Sequence, residues 1–152
     1  MALVLTSPAF EHGQHLPRRL TCEGENLSPR LDWKNLPPGT KSLVMIMDDP
    51  DAPNGTFHHW AMYNIPAGTS SLEEGAGTEG KGQFAINDFG HRSYDGPLPP
   101  RGHGKHRYYF KLMALDVGRL DVPDDAKVLD VAKMARSHIL AQAELMGTYE
   151  RS

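Results

Sequence analysis

His106-Arg107-Tyr108-Tyr109-Phe110-Lys111-Leu112-Met113-Ala114-Leu115 is the stretch that sets the fold. Tyr108, Phe110, Leu112 and Ala114 alternate with Tyr109, Lys111, Met113 and Leu115. A period of two is the mark of a strand. One of its faces is wholly apolar or aromatic and the other is only interrupted, which places the strand centrally in a sheet. Working outward, shorter apolar runs repeat the signal at Leu3–Leu5, Arg30–Trp33, Ser42–Asp48, His59–Ile65 and Gln83–Asn87. Twelve prolines and 15 glycines punctuate them, the pattern of many short strands joined by loops.

On the C-terminal side the period changes. From Ala126 to Met146, Val128, Val131, Ala132, Ala135, Ile139, Ala143 and Met146 recur at three- and four-residue steps, which predicts a helix. Asp124 or Asp125 can cap its start, Gly147 can supply a left-handed stop, and a break near Ser137 would divide it into two shorter helices. The apolar stripe of this segment reads as core packing. No repeat or linker divides the sequence, so residues 1–152 are read as one domain, long enough to build a core without a disulfide or metal staple.

Composition removes several function classes. With 39% hydrophobic and 23% charged residues the chain has ordinary globular usage. Sixteen basic against 19 acidic residues leave a net charge of −3, which argues against duplex nucleic acid and acidic lipid surfaces as partners. Cys22 is the sole cysteine, so no internal disulfide or multi-cysteine zinc site can form, and a reducing compartment is expected. The apolar run Leu43–Met47 is far short of the roughly 20 residues a membrane helix needs. Met1–Phe10 lacks the basic flank of a secretory signal. The expected location is cytoplasmic.

Two segments concentrate polar chemistry. In the first, Leu43–Met47 runs into Asp48-Asp49-Pro50-Asp51-Ala52-Pro53 and then His58-His59-Trp60. The carboxylates emerge where a buried strand ends, and two prolines stiffen the loop that follows, the setting in which sites are built. The aspartates could equally close Asx-type turns. A hairpin-like return would bring His59 beside Asp49. In the second, Gly96-Pro97-Leu98-Pro99-Pro100-Arg101-Gly102 cannot be regular structure and leads to His106-Arg107-Tyr108. A stiff loop with exposed backbone N–H groups and imidazoles nearby suits a small anion; the alternative is a solvated loop before a strand. Five of the eight histidines lie between His58 and His106. No HExxH or cysteine pair accompanies them, so neither a metal nor another cofactor is expected. Gly75-Ala76-Gly77-Thr78-Glu79-Gly80 spells GxGxxG, but no apolar strand precedes it and no helical pattern follows, so it reads as a mobile loop.

Asp49-Pro50-Asp51-Ala52-Pro53, the His58-His59 pair, and Tyr94-x-Gly96-x-x-Pro99-Pro100-x-Gly102 followed by His106-Arg107-Tyr108 together resemble the signature regions of the phosphatidylethanolamine-binding protein family, whose members are also called Raf kinase inhibitor-like. Thr21-Cys22-Glu23-Gly24-Glu25-Asn26-Leu27-Ser28-Pro29, Leu31-Asp32-Trp33 and Gly147-Thr148-Tyr149 are similar to its bacterial and archaeal branch. The resemblance implies a mainly β fold: a large central antiparallel sheet packed on a smaller one, with short peripheral and C-terminal helices. It implies a pocket for phosphate, acetate or a phosphoethanolamine-type head group, formed by Asp49, Pro50, Ala52, His59, Gly96, Leu98, Pro99, His106 and Tyr108. It is also compatible with a homodimer and with a kinase or protease as protein partner. Phe57 stands where eukaryotic members often carry Trp, and Leu98 where they often have Gly.

The expected function is therefore binding of a small anion, with His59 and His106 donating and Asp49 orienting an imidazole, and with no catalytic residue. The enzymatic alternative is a phospho-compound hydrolase with His59 and Asp49 as a base pair and His106 as acid or phosphate clamp. The sequence offers no nucleophile motif for it. The third reading is an inhibitor whose pocket rim docks a kinase or protease. His91, Arg92, Arg101, His103, Lys105, His106 and Arg107 gather on one stretch, so the net charge of −3 is compatible with a focused anion site.

Overall fold

The computed structural model describes residues 1–78 and 82–152. Among the described residues eight strands run in the order β1 (Val4–Thr6), β2 (Leu31–Lys34), β3 (Ser42–Asp49), β4 (Phe57–Pro66), β5 (Ser71–Leu72), β6 (Gln83–Phe84), β7 (His106–Leu115) and β8 (Ile139–Tyr149), with one α-helix, α1 (Val128–Ala135), before β8. The fold is mainly β, with two antiparallel sheets ordered β1-β2-β5 and β6-β4-β3-β7-β8. The quoted stretch is β7, and it lies between β3 and β8 as its two apolar faces require.

Alternation along the strands builds two cores. Leu43, Met45 and Met47 of β3, Trp60 and Met62 of β4, and Tyr108, Phe110 and Leu112 of β7 pack with Leu5, Leu31 and Trp33 of the small sheet. On the opposite face Val44, Ile46, Ala61, Tyr63, Met113 and Leu115 meet Val128, Val131 and Ala135 of α1. The helix thus covers one face of the large sheet and the small sheet covers the other.

The predicted helix over Ala126–Met146 is the main correction. Only Val128–Ala135 is α-helical; a 3-10 turn spans Arg136–His138, and Ile139–Tyr149 is a strand. Ala, Leu, Glu and Met favour helix in isolation, yet the backbone of β8 bonds along β7 from His106↔Tyr149 to Leu115↔Ile139, and this tertiary pairing overrides propensity. Gly147 accordingly is no helix stop. It faces Tyr108 in the ladder, and a Cβ there would come within 2.5 Å of Leu16 Cδ2. The helix start is capped by Asp130, whose Oδ2 accepts the Lys127 N–H at 2.9 Å, and not by Asp124 or Asp125. Gln83–Asn87 shortens to Gln83–Phe84, with Ile86 making a single bridge to Lys127.

The open edge of β8 is covered by the N-terminal segment: Gly13 and Leu16 donate to the Met146 and Thr148 carbonyls, and Thr148 donates to Gln14. The GxGxxG stretch falls partly outside the described residues, at Glu79 and Gly80. Its first part is fixed, because Gly77 N–H donates to Ser28 Oγ at 2.7 Å and the Gly77 carbonyl accepts from Tyr94. Among the described residues no helix is long and apolar enough to cross a membrane.

Candidate functional site

The C-terminal end of β3 and the N-terminal ends of β4 and β7 converge at one end of the large sheet, where a cavity of about 430 Å³ opens. Asp49, His59, His106 and Tyr108 line it, together with the β3–β4 loop (Ala52–Thr56), Phe57, Asp88, Phe89 and Leu98–Pro100. Of the nine expected residues, seven line the cavity. Pro50 instead lines a shallow depression on the opposite face, with Arg107, Lys111 and Glu144. Gly96 lies beneath the loop, where a Cβ would come within 2.0 Å of the Leu20 carbonyl oxygen, so its role is close packing. Sequence reasoning passed over Asp88, Phe89 and Pro100 as site residues; the turn after the β6 region, Asp88-Phe89-Gly90, was the available signal.

His59 reaches the cavity through a bulge. Met47 pairs with Trp60 and Asp48 with His58, leaving His59 as the extra residue of β4. Without the bulge, His59 would share the face of Ala61 and Tyr63 under α1; the inserted residue re-aims it toward the site. Its Nδ1–H donates to the Asp95 main-chain carbonyl at 2.8 Å. A carbonyl only accepts, so the neutral ring carries its proton on Nδ1 and presents Nε2 as a lone pair. Burial pushes its pKa below the ordinary 6.5, against the smaller opposing pulls of the Asp95 hydrogen bond and of Asp49. Asp95 is itself held by Asn26, Asn87 and His91 through its carboxylate.

Asp49 does not pair with His59. Its Oδ2 accepts from His106 Nδ1 at 2.6 Å, both side chains being buried, and its Oδ1 accepts the Asp51 N–H at 2.8 Å in an Asx turn. The hairpin return placed Phe57 opposite Asp49 instead. The His59–Asp49 base pair of the hydrolase reading is therefore not formed. Beside them the Tyr108 hydroxyl is buried next to the Asp49 carboxylate, and among the described residues it makes no hydrogen bond of full geometry. Burial, and next the charge and the close approach of Asp49 as a hydrogen-bond acceptor, hold this phenol protonated far above its usual range. Aromatic rings complete the walls: Phe57 and Phe89 meet edge to face at 4.7 Å between centroids, and His59 lies 4.8 Å from Phe57 and 5.5 Å from Tyr108.

The cationic stretch disperses in space. Of its seven members only His106 lines the cavity, and among the described residues no Lys or Arg does. Arg107 points to the other face, where its guanidinium grips both Asp51 oxygens and holds that carboxyl at about 2. Arg92 donates to the Asp124 carbonyl, and His91 to the Asp95 carboxylate. Loop amides are also committed: Gly96 N–H donates to Asn26 Oδ1 at 2.7 Å and Gly102 N–H to the Arg151 carbonyl at 3.1 Å. Among the described residues no three His, Cys, Asp or Glu side chains converge in a metal-holding arrangement.

A model of the phosphatidylethanolamine-binding protein family matches residues 6–150. A UPF0098 protein of Aquifex aeolicus is 49% identical over 148 residues, covering 95% of this chain and 86% of that protein. The crystal structure of E. coli YbcL, described as a member of the mammalian PEBP family, superposes with a TM-score of 0.95 at 32% identity over the full length of both chains. That of a PEBP homolog from Chlamydia trachomatis gives 0.90 at 38% identity, covering 99% of each chain.

Proposed function

This chain belongs to the phosphatidylethanolamine-binding protein family, and on that premise we propose that its cavity binds a small tetrahedral anion, either free phosphate or the phosphate of a phosphoethanolamine-type head group. The observation that carries this reading is the Tyr108 hydroxyl, buried at the cavity wall and, among the described residues, without a well-formed hydrogen bond. Leaving such a group unpaired costs about 1–3 kcal/mol, which a ligand oxygen accepting its proton would recover.

His59 supplies the positive charge. Its Nδ1 proton is committed to Asp95, so it can donate to an anion only after Nε2 gains a second proton. Binding is then coupled to proton uptake. The carboxylates of Asp49 and Asp88 and the faces of Phe57 and Phe89 suit the ammonium end of the same head group. A lining that, among the described residues, holds no Lys or Arg fits one such small, charge-balanced group better than a polyphosphate.

Sulfate, which keeps its charge throughout the neutral range, is the simplest probe. At pH 6.5 Tyr108→Phe should weaken sulfate about tenfold, the loss of one buried hydrogen bond of roughly 1.4 kcal/mol, with an unchanged circular dichroism spectrum. Equal affinity of the two proteins would overturn the reading. Phosphoethanolamine binding more tightly than methyl phosphate would identify the head group over the free anion.

A further inference from the structure

The basic stretch, of which only His106 lines the cavity, carries a second arrangement. His103 stands exposed on the loop before β7, and its Nδ1 lies 2.6 Å from His106 Nε2, whose own Nδ1 lies 2.6 Å from buried Asp49 Oδ2. The proton positions along this chain follow from the carboxylate. Ionised Asp49 only accepts, so His106 carries its proton on Nδ1; His106 Nε2 then accepts, so His103 donates from Nδ1. That leaves His103 Nε2 with its lone pair. Gly102 and Gly104 on either side have φ of +71° and +89° and nothing within 4 Å of where a Cβ would stand, so the turn is open. Arg101 and Lys105 flank it, both exposed, and favour approach of a doubly charged phosphoryl group.

We propose that His103 is a phosphoryl-accepting nucleophile, activated by the Asp49–His106 dyad and served by a small acyl phosphate. His103 Nε2 forms a bond to phosphorus as the bond from phosphorus to the acyl oxygen breaks, and the carboxylate leaves with that electron pair. The ring of His103 becomes acidic as its Nε2 is taken, and its Nδ1 proton passes to His106 Nε2. Asp49 stabilises the imidazolium so formed, and the product is a neutral-ring phosphohistidine. Asp49 and His106 act through His103 and are positioning residues. The proposal does not depend on what the cavity binds.

The test is incubation of the full chain with acetyl phosphate at pH 8, with the sites of 80 Da mass increase mapped under mild alkaline conditions. His138, partly exposed and paired with exposed Asp116 at 3.0 Å, is an internal reference for a histidine without a buried dyad. His103 should be labelled on the order of 10²-fold faster than His138, the usual contribution of a positioned base. His103→Ala should abolish that labelling, and Asp49→Asn should reduce it toward the His138 rate. Nitrogen-15 spectra supply a readout that fold stability alone does not move: His103 should show a protonated Nδ1 and bare Nε2, a bias lost in Asp49→Asn. Labelling of His103 no faster than His138, or unaffected in a folded Asp49→Asn, would overturn the proposal.

Discussion

Asp49 divides its two oxygens between two tasks. One closes the turn onto Asp51 and the other fixes the His106 ring, so the same carboxylate that shapes the loop sets a tautomer. Asp51 extends the tie by accepting the Arg107 backbone N–H and guanidinium, which locks the loop to the first residues of β7. Gly96 does for the second loop what Asp49 does for the first. Its amide donates to Asn26 and its carbonyl accepts the Cys22 thiol, against a backbone that leaves no room for a side chain. Gly96→Ala should therefore cost about 1–3 kcal/mol of stability in urea unfolding, the usual penalty for overpacking, and should weaken sulfate through displacement of Leu98 and Pro99. At this scale the sequence identified residue types well, because aspartate, histidine and tyrosine in loops and at strand mouths advertise chemistry. It could not assign partners: the choice of His106 over His59 for Asp49 depends on distances between strands that are not neighbours in the chain.

At the scale of elements, the bulge in β4 decides what the site contains. Two-residue alternation assigns His59 to the helix side, and only the insertion at the Met47–Asp48 step returns it to the cavity. Nothing in Phe57–Pro66 announces that step, since bulges answer to the neighbouring strand. The C-terminal segment was misread for a related reason. Val128, Val131 and Ala135 do form the buried stripe of a helix, but Ala143, Leu145, Gly147 and Tyr149 also alternate, and β7 offered the second pattern a partner. The short α1 is then held by its packing and by the Asp130 cap. Asp130→Ala should lower stability by about 0.5–1 kcal/mol, measured by urea unfolding, while leaving sulfate affinity unchanged because the helix lies on the face away from the cavity.

Across the whole molecule, the large sheet works as a partition. One face carries the shared core and, at its end, the cavity; the other carries α1 and, at its end, the Asp51–Arg107 and Asp48–His58 pairs. The run of seven basic and imidazole groups did not become a cationic pocket because strand alternation sends His106 and Arg107 to opposite faces of the sheet, and the other five lie on turns and loops before β7. Among the described residues the site that results has buried imidazoles in place of lysine or arginine, so its positive charge must come from a proton that His59 takes up with the ligand. Free His59 titrates below 6.5 because burial disfavours its charged form, and a bound anion raises that value. Between the two values the complex holds more protons than the free protein, so affinity falls as pH rises. Calorimetric titration with sulfate at pH 7.5, in two buffers of different ionisation enthalpy, counts the protons directly. Uptake of about one proton per sulfate bound is expected, with affinity declining from pH 6 to pH 8. Binding with no proton uptake, at an affinity constant over that range, would contradict it.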